Sequence, residues 1–528
     1  MPDYSTKAPG VYLEEVSGVR PISGVGTALP AFIGLAPTGP TVPTFVANWT
    51  QYVERFGGIQ EGMSLGRAVY AYIANGGSAA LVVRVGGGDT EGPSPATATV
   101  PGVSGGDAFV LTAKLPGGAG DEVTAEVVDT AAASDADGED EGEGETTGGT
   151  STTDSANAPF DLVLHGPQHP EERYRGVTPS TLVHQLRKSK LATAAAPEGG
   201  RVGRPAAGTF TLSGASSGAA IGAPAYLGDE QQRTGLAGLV AEDEVTMVAA
   251  PDLVTSLASG AMSPTDVAAV QTAMIDHCEA LMDRMAILDP PLFAAGAGRD
   301  AASLSPQECS TWRDSVPSSK FATTYYPWLT VVDVVTGTQS VEPPSGFVAG
   351  AWARNDAEHG VANAPTGRIR HAIGLVRTLT DAEQGLLNPK GVNCLRVFRG
   401  SGPVIWGART LSDDGEWRYL NVRRLFNFIE ESVVEGTKFA VFAPNDTDLW
   451  ARLRRSVHAF LLGLWRDGAL VGATPEQAFY VRCDAETNPQ DQIDQGVVTV
   501  EIGAAPVKPA EFVVIRVRQS TDGADVSD

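Results

Sequence analysis

Cysteine is scarce. The four cysteines, Cys278, Cys309, Cys394 and Cys483, lie far apart in 528 residues and form no C-x-x-C pair, so neither a zinc knot nor a disulfide framework is expected. Synthesis in a reducing cytoplasm is the simplest setting. Positive charge is also short: 38 Lys and Arg stand against 63 Asp and Glu, a net charge of −25, so the chain lacks the basic face that phosphate backbones require. No nucleic-acid partner is expected. No apolar run approaches the ~18 residues of a membrane span, which argues against direct membrane insertion. The start Met1-Pro2-Asp3-Tyr4 has no basic or apolar leader region, so Sec export is not expected from it.

Chemical motifs are equally thin. There is no Gly-Lys dipeptide for a Walker A loop, no H-E-x-x-H and no G-x-G-x-x-G, so no metal and no cofactor is expected. Two G-x-S-x-G matches, centred on Ser104 and Ser216, lie in Gly/Ser-rich runs without the strand before and helix after that a nucleophile elbow needs. A hydrolase using Ser104 or Ser216 is the rival reading from another class, and an isolated surface-binding β protein is a third. His165 and His169 have the spacing of a helical ligand pair, but Pro167 and Pro170 forbid that helix and predict a turn. His277, His359, His371 and His458 stand alone. No catalytic residue is expected.

What the chain does contain is length, glycine and pattern. At one domain per roughly 150 residues it holds three or four units, and 61 Gly with 35 Pro predict many turns. Between Gly86 and Phe160 there are 15 acidic residues and one base, Lys114. Ser134 to Thr153 has no aromatic or branched apolar residue and much like charge, so it cannot offset chain entropy by burial and reads as a disordered surface loop. Runs such as Phe109–Ala113 and Val123–Val128 around it suggest a β-rich insertion over 86–204. Elsewhere strands and helices alternate. Ala79–Val85 and Val245–Pro251 read as buried strands, and Ser263 to Met285 as a helix with Ser263 as N-cap, Pro264 at its first position and Cys278 on its apolar stripe. A second helix is expected from about Thr447 to Arg466. Strands are expected at 496–502 and 511–518.

Several segments together are specific. Ala8-Pro9-Gly10-Val11-Tyr12-Leu13-Glu14-Glu15-Val16 and Phe32-Ile33-Gly34-Leu35-Ala36-Pro37-Thr38-Gly39-Pro40 resemble the opening of contractile tail sheath proteins of phages and phage-like injection systems. Tyr226-Leu227-Gly228, Arg233-Thr234-Gly235-Leu236, Ala250-Pro251-Asp252, Arg284 to Asp289 and Tyr325-Tyr326-Pro327-Trp328 resemble the middle of such sheaths. So do Asn388 to Arg396, Gly402 to Leu411, Trp417 to Arg424 and, at the end, Glu511 to Val517. The resemblance covers most of the chain outside 86–204.

It implies a mixed α/β and α+β architecture. The expected units are an N-terminal arm and linker (1–25), the first part of the α/β core (26–85), the acidic insertion on the outside (86–204), a subtilisin-like α/β sheath domain (205–395), a C-terminal α+β sheath domain (396–503) and a C-terminal linker and arm (504–528). It further implies a structural protomer, stacked as hexameric rings around an inner tube and contracting to drive that tube through an envelope, with baseplate and terminal cap proteins as further partners. Assembly in a bacterial cytoplasm into a phage-tail-like particle follows. Length and insertion favour an extracellular contractile injection system over a phage tail. The strand-like ends Val11, Tyr12, Leu13 and Phe512, Val513, Val514, Ile515, Val517 are the expected inter-protomer strand-exchange residues, with 18–26 and 504–510 as hinges. On the 447–466 helix, Leu449, Leu453, Val457, Phe460 and Leu464 should face inward, and Arg452, Arg454, Arg455 and Arg466 should offer a cationic stripe to the inner tube.

Overall fold

The computed structural model describes residues 22–60, 62–86, 95–103, 105–114, 118–129, 157–166, 169–197, 200–214, 221–293, 303–334, 337–512 and 514. Its centre is a nine-stranded sheet, in the order Gly367–Arg368, Pro403–Ile405, Val392–Val397, Ala322–Tyr326, Met285–Leu288, Met247–Ala249, Pro30–Gly34, Ala80–Arg84, Thr44–Val46. The six strands from Val392–Val397 to Ala80–Arg84 are mutually parallel, and antiparallel strands close both edges. Every residue of Pro30–Gly34, Met285–Leu288 and Ala322–Tyr326 is buried, which is why these strands read as unbroken apolar runs rather than alternating ones.

Helices cover the sheet. Leu65–Asn75 and Ser345–His359 pack closely because Gly346 and Gly350 face the first helix. A Cβ on Gly346 would stand 2.6 Å from the Ala68 backbone, and one on Gly350 would stand 2.4 Å from the Tyr72 carbonyl oxygen. The expected helix after Ser263 spans Pro264–Leu281, with Ser263 accepting the Asp266 N–H at 3.1 Å. It ends four residues before Met285, because Met282 turns left-handed at φ 61° and Met285 opens a buried strand of the central sheet instead. All four cysteines are free and buried.

The segment between Ala80–Arg84 and Met247–Ala249 forms a separate β module. A four-stranded sheet (Gly208–Thr211, Thr124–Val128, Phe160–Gly166, His169–Val177) and a three-stranded one (Thr97–Pro101, Asp107–Ala113, Ala192–Ala195) enclose a core that includes Phe109, Leu111, Phe160, Leu162 and Leu182. The module runs past 204, since Gly208–Thr211 pairs in register with Thr124–Val128. Its two ends meet: Thr97 N–H donates to the Ser213 carbonyl at 2.9 Å and Ser213 N–H to the Thr97 carbonyl at 3.0 Å. Gly86 and Ile221, where the chain leaves and rejoins the α/β body, also adjoin.

The C-terminal part is α+β. Helices Leu420–Thr437 and Thr447–Arg466 bury Leu425, Ile429, Val457 and Leu461 together with Phe479 of a two-stranded hairpin, Phe479–Arg482 with Glu501–Ala504. The strand expected over 496–502 therefore begins later, at Glu501.

Because the β module has its own core and paired ends, replacing residues 95–214 with a short Gly/Ser linker should leave the remaining body folded, its melting temperature within a few degrees of the parent. A separated module comprising 95–214 should itself melt cooperatively in differential scanning calorimetry. Loss of folding in the shortened chain would show that the body depends on it.

Candidate assembly surfaces

Two questions decide what this body can do: where its ends leave it, and whether the sheet carries a reaction site. Both terminal segments are fastened along one helix, Leu420–Thr437. On the N-terminal side Ile22 is buried against Gly436, Val25 N–H donates to Ser432 Oγ at 3.1 Å, and the Thr27 carbonyl accepts from Arg424 at 3.1 Å. Arg424 is itself paired with Asp356, both nearly excluded from solvent. On the C-terminal side Asn421 Nδ2 donates to the Val507 carbonyl at 3.0 Å. Backbone bonds from Val471 to Ala505 and from Val507 to Ala469 hold 505–507 to the body, so this part of the expected hinge is anchored.

Glu511 is fixed by side chains of the body. Its carboxylate accepts from Arg409 Nε at 2.8 Å and Nη2 at 2.5 Å, from Asn388 Nδ2 at 2.9 Å and, more loosely, from the Tyr419 hydroxyl at 3.5 Å. Burial alone would raise this carboxyl, but the hydrogen bonds from Arg409 and Asn388 prevail and hold it below the ordinary carboxylate range. Arg409 is positioned in turn by Asn393, whose side chain accepts the Arg409 N–H at 2.7 Å and donates to its carbonyl at 2.9 Å. Beyond the clasp Phe512 and Val514 are 75% and 77% exposed. Val513, Ile515 and Val517 lie outside the described residues, as do Val11, Tyr12 and Leu13. The clasp residues Asn388, Arg409 and Glu511 sit inside segments that carried the resemblance, but a sequence pattern gives no hint that they meet.

The cationic helix spans Thr447–Arg466, with Asp446 accepting the Leu449 N–H at 2.9 Å as its cap. Leu449 and Leu453 are buried in a small cluster with Trp450 and Cys483, while Val457 is buried in the core shared with Leu420–Thr437, against which Phe460 and Leu464 are partly buried. Arg452, Arg454, Arg455 and Arg466 are exposed. The four are not equivalent, since Arg454 donates to the Cys483 carbonyl at 2.8 Å and Arg452 lies over the Phe439 ring at 5.9 Å.

In open α/β sheets, ligands bind at the carboxyl ends of the strands and at helix N-termini. Here those positions are filled by the chain's own carboxylates. Asp252 accepts backbone N–H bonds from Leu35 (2.9 Å), Ser64 (2.5 Å) and Leu65 (2.9 Å), which occupies the N-terminus of Leu65–Asn75. Asp289 accepts from Ser345 N–H at 2.9 Å and fills the N-terminus of Ser345–His359. Glu342 pairs with Arg67 at 3.2 Å, and Arg67 pairs with Asp333 at 2.7 Å. Burial pushes Asp252 up to about 6 and Asp289 and Glu342 up to about 7. Among the described residues no histidine joins these groups, Ser64 Oγ donates to Glu342 Oε2 at 3.4 Å, and Ser104 and Ser216 lie outside the described residues. Among the described residues no cluster of three or more His, Cys, Asp or Glu could hold a metal ion. No helix among them is long and apolar enough to cross a membrane.

Family models match from the middle of the chain to near its end: the phage tail sheath protein central domain over residues 259–411 and the phage tail sheath C-terminal domain over 412–520. The chain belongs to the contractile tail sheath family. Among curated sheath proteins it is similar to a putative prophage major tail sheath protein of Pseudomonas aeruginosa, 29% identical over 192 residues, which are 35% of this chain and 48% of that one. It is also similar to the tail sheath protein of Vibrio phage KVP40, 27% identical over 191 residues, 35% of this chain and 28% of that one. The matched stretches thus span half or less of these relatives. The sheath fold extends further. The contracted sheath of the anti-feeding prophage superposes with a TM-score of 0.56 at 21% identity, covering 98% of this chain and 100% of that one. The contracted sheath complex of the PVC extracellular contractile injection system superposes with a TM-score of 0.55 at 21% identity, covering 98% and 99%.

Two outcomes test the geometry of this sheath body. Arg409→Ala leaves Glu511 and Asn388 without their shared partner and should lower stability by about 2 kcal/mol, measured by denaturant unfolding. The second concerns Asp289. A carboxyl whose folded pKa is raised keeps its full stabilising contribution below its unfolded value, about 4, and loses it as pH climbs through about 7. Asp289→Asn keeps an acceptor for the Ser345 N–H, so it should flatten the fall in melting temperature between pH 5 and pH 8. An unchanged slope would exclude Asp289 as a source of that dependence.

Proposed function

We propose that this chain is the protomer of a contractile sheath, stacked as hexameric rings around an inner tube and contracting to drive the tube through a target envelope. The observation that carries this reading is the pair of fastened ends. Both terminal segments are fixed along a single helix, and beyond the Glu511 clasp the chain runs out exposed and apolar at Phe512 and Val514. A segment of that kind is suited to add a strand to another copy. The hairpin Phe479–Arg482 with Glu501–Ala504 is the natural acceptor, since a two-stranded sheet is marginal alone and leaves its edges unpaired. In this reading Val11, Tyr12 and Leu13 of one copy and Phe512, Val513, Val514, Ile515 and Val517 of another supply the added strands. Main-chain ladders then keep neighbours joined while the bodies rotate.

The arginine stripe faces the inner tube. Arg452, Arg455 and Arg466 would hold it by several salt-screened pairs, each worth ~0.2–1 kcal/mol, which suits a contact that must be released. Arg454 contributes less because it is engaged with Cys483. The β module and its acidic segment project outward, since a highly charged stretch at a packed interface would carry a large desolvation cost. The role is structural: the buried Asp252 and Asp289 occupy the positions at which an α/β enzyme receives substrate. Baseplate and cap proteins complete the partners. The particle assembles in the bacterial cytoplasm and, as an extracellular contractile injection system, acts after release.

The injection-system reading is supported by fold likeness along 98% of the chain to the anti-feeding prophage and PVC sheaths. A phage tail is the second reading, favoured by the sequence relatives among phages and prophages. Both share one mechanism. Negative-stain microscopy of the chain produced with its genomic neighbours tests it: striated tubes without capsids are expected, whereas DNA-filled heads would mark a phage, and a small monodisperse particle would refute the sheath. In the same assay, Arg452→Glu with Arg455→Glu should reduce tube-bound sheath at least tenfold, and unchanged particles would refute the tube contact.

A further inference from the structure

One surface groove of the body is rich in acidic side chains. It has a volume of about 710 Å3 and lies between the helix Leu420–Thr437 and the amino ends of three central strands, Pro30–Gly34, Met247–Ala249 and Met285–Leu288. Its floor is apolar, with Leu29, Val245 and Phe428, and its rim carries Asp243, Glu244, Asp283, Glu431 and Glu435. The neighbouring cations are already committed: Arg284 to Asp283, Lys438 to Glu435 and Arg424 to Asp356. Asp243, Glu244 and Glu431 form no ion pair among the described residues. Partial burial, reinforced by Asp283 and Asp243 and only partly offset by Lys438, raises the Glu431 carboxyl above its ordinary value, as expected where acids crowd together.

Another surface has the opposite problem. The strand Gly367–Arg368 is the open edge of the nine-stranded sheet and leads into a loop ending at Ile373. The backbone of this segment is pinned. Ile369 N–H donates to the Pro403 carbonyl at 2.8 Å, Arg370 N–H to Asn75 Oδ1 at 2.7 Å and Ile373 N–H to the Thr330 carbonyl at 2.9 Å. His371 is held at φ 60°, in the left-handed region that a non-glycine residue seldom adopts. The side chains, by contrast, are left out: Arg368 and Arg370 are exposed and form no ion pair among the described residues, and Ile373 is 57% exposed. Burial and, to a lesser degree, the charge of nearby Arg370 lower the neighbouring Arg354, with Glu358 opposing.

We propose that the basic edge loop 367–373 of one copy docks into the acidic groove of a second copy, with Arg368 and Arg370 meeting Asp243, Glu244 and Glu431 and Ile373 covering apolar floor. Charge complementarity selects the occupant. In a chain of net charge −25 most approaches between copies are repulsive, and this pairing is attractive. Residues 367–373 do not line the groove of their own chain. The contact is therefore heterologous, leaving one edge and one groove open at opposite ends of any row of copies. Such contacts propagate an open helical polymer unless they close into a ring. The pairing rests on the sheath assembly proposed above and adds to it a side-chain contact independent of the terminal arms.

The test uses the full chain with its tube protein, at about 0.15 M salt where exposed pairs are only partly screened. Arg368→Glu with Arg370→Glu, and separately Asp243→Lys with Glu431→Lys, should each lower the sedimentable sheath about tenfold. The chain carrying all four reversals should recover it. As a check independent of charge, Arg370→Cys with Glu244→Cys should give a ladder of disulfide-linked chains on oxidation, because the four native cysteines are buried. If each reversal pair leaves polymer unchanged, or if the fourfold variant melts like the parent yet stays unassembled and no ladder forms, the contact is wrong while the sheath reading stands. If the parent chain itself never assembles on tube, both fall.

Discussion

A chain end stays with a folded body only where a directional bond gives it a fixed point. At the C-terminus that point is the guanidinium of Arg409, held by Asn393 on the central sheet and gripping Glu511 with two parallel N–H bonds. A charge-assisted, bidentate bond of this kind is strong and directional, and it fixes Glu511 to the body. The N-terminal segment reaches the same helix through Ile22, Val25 and Thr27. That helix, Leu420–Thr437, also holds Val507 through Asn421 and packs against the cationic helix and the hairpin.

The α/β body behind this helix has the topology of a ligand-binding sheet but not the vacancy. Asp252 and Asp289 sit at helix N-termini where an enzyme would hold an anionic substrate; Asp252 accepts three backbone N–H groups and Asp289 one, from Ser345. The result is a sheet closed at its carboxyl edge by its own side chains. That closure ties distant parts of the chain together, since Leu35 and the adjacent Ser64 and Leu65 converge on the Asp252 carboxylate. The close approach of Ser345–His359 to Leu65–Asn75 across Gly346 and Gly350 serves the same end.

Charge is distributed by place rather than averaged. Acidic residues concentrate in the β module and around the groove beside Leu420–Thr437, while exposed arginines concentrate on the Thr447–Arg466 helix and on the edge loop 367–373. Separated patches of opposite sign on one surface favour a few defined orientations between like molecules and disfavour the rest.

Much of this was legible in the residues alone. Unbroken apolar runs marked the buried parallel strands, Ser263 and Pro264 marked a helix start, and the apolar spacing of Leu449, Leu453 and Val457 marked the inward face of the long helix, because these features depend on local periodicity and capping. The ordered motifs carried the family. Long-range pairing was not legible. Met285 continued an apolar stripe yet belongs to a strand, since the left-handed turn at Met282 and the neighbouring parallel strands outweigh helical spacing. The β module reaches Ser213 because register with Thr124–Val128 and Thr97, not composition, sets its border. Asn388, Arg409 and Glu511 stood in recognisable motifs, but only the folded chain brings residues 102 positions apart into one clasp. The acidic groove likewise exists only where strand ends and a distant helix face each other, a juxtaposition that tertiary packing alone decides.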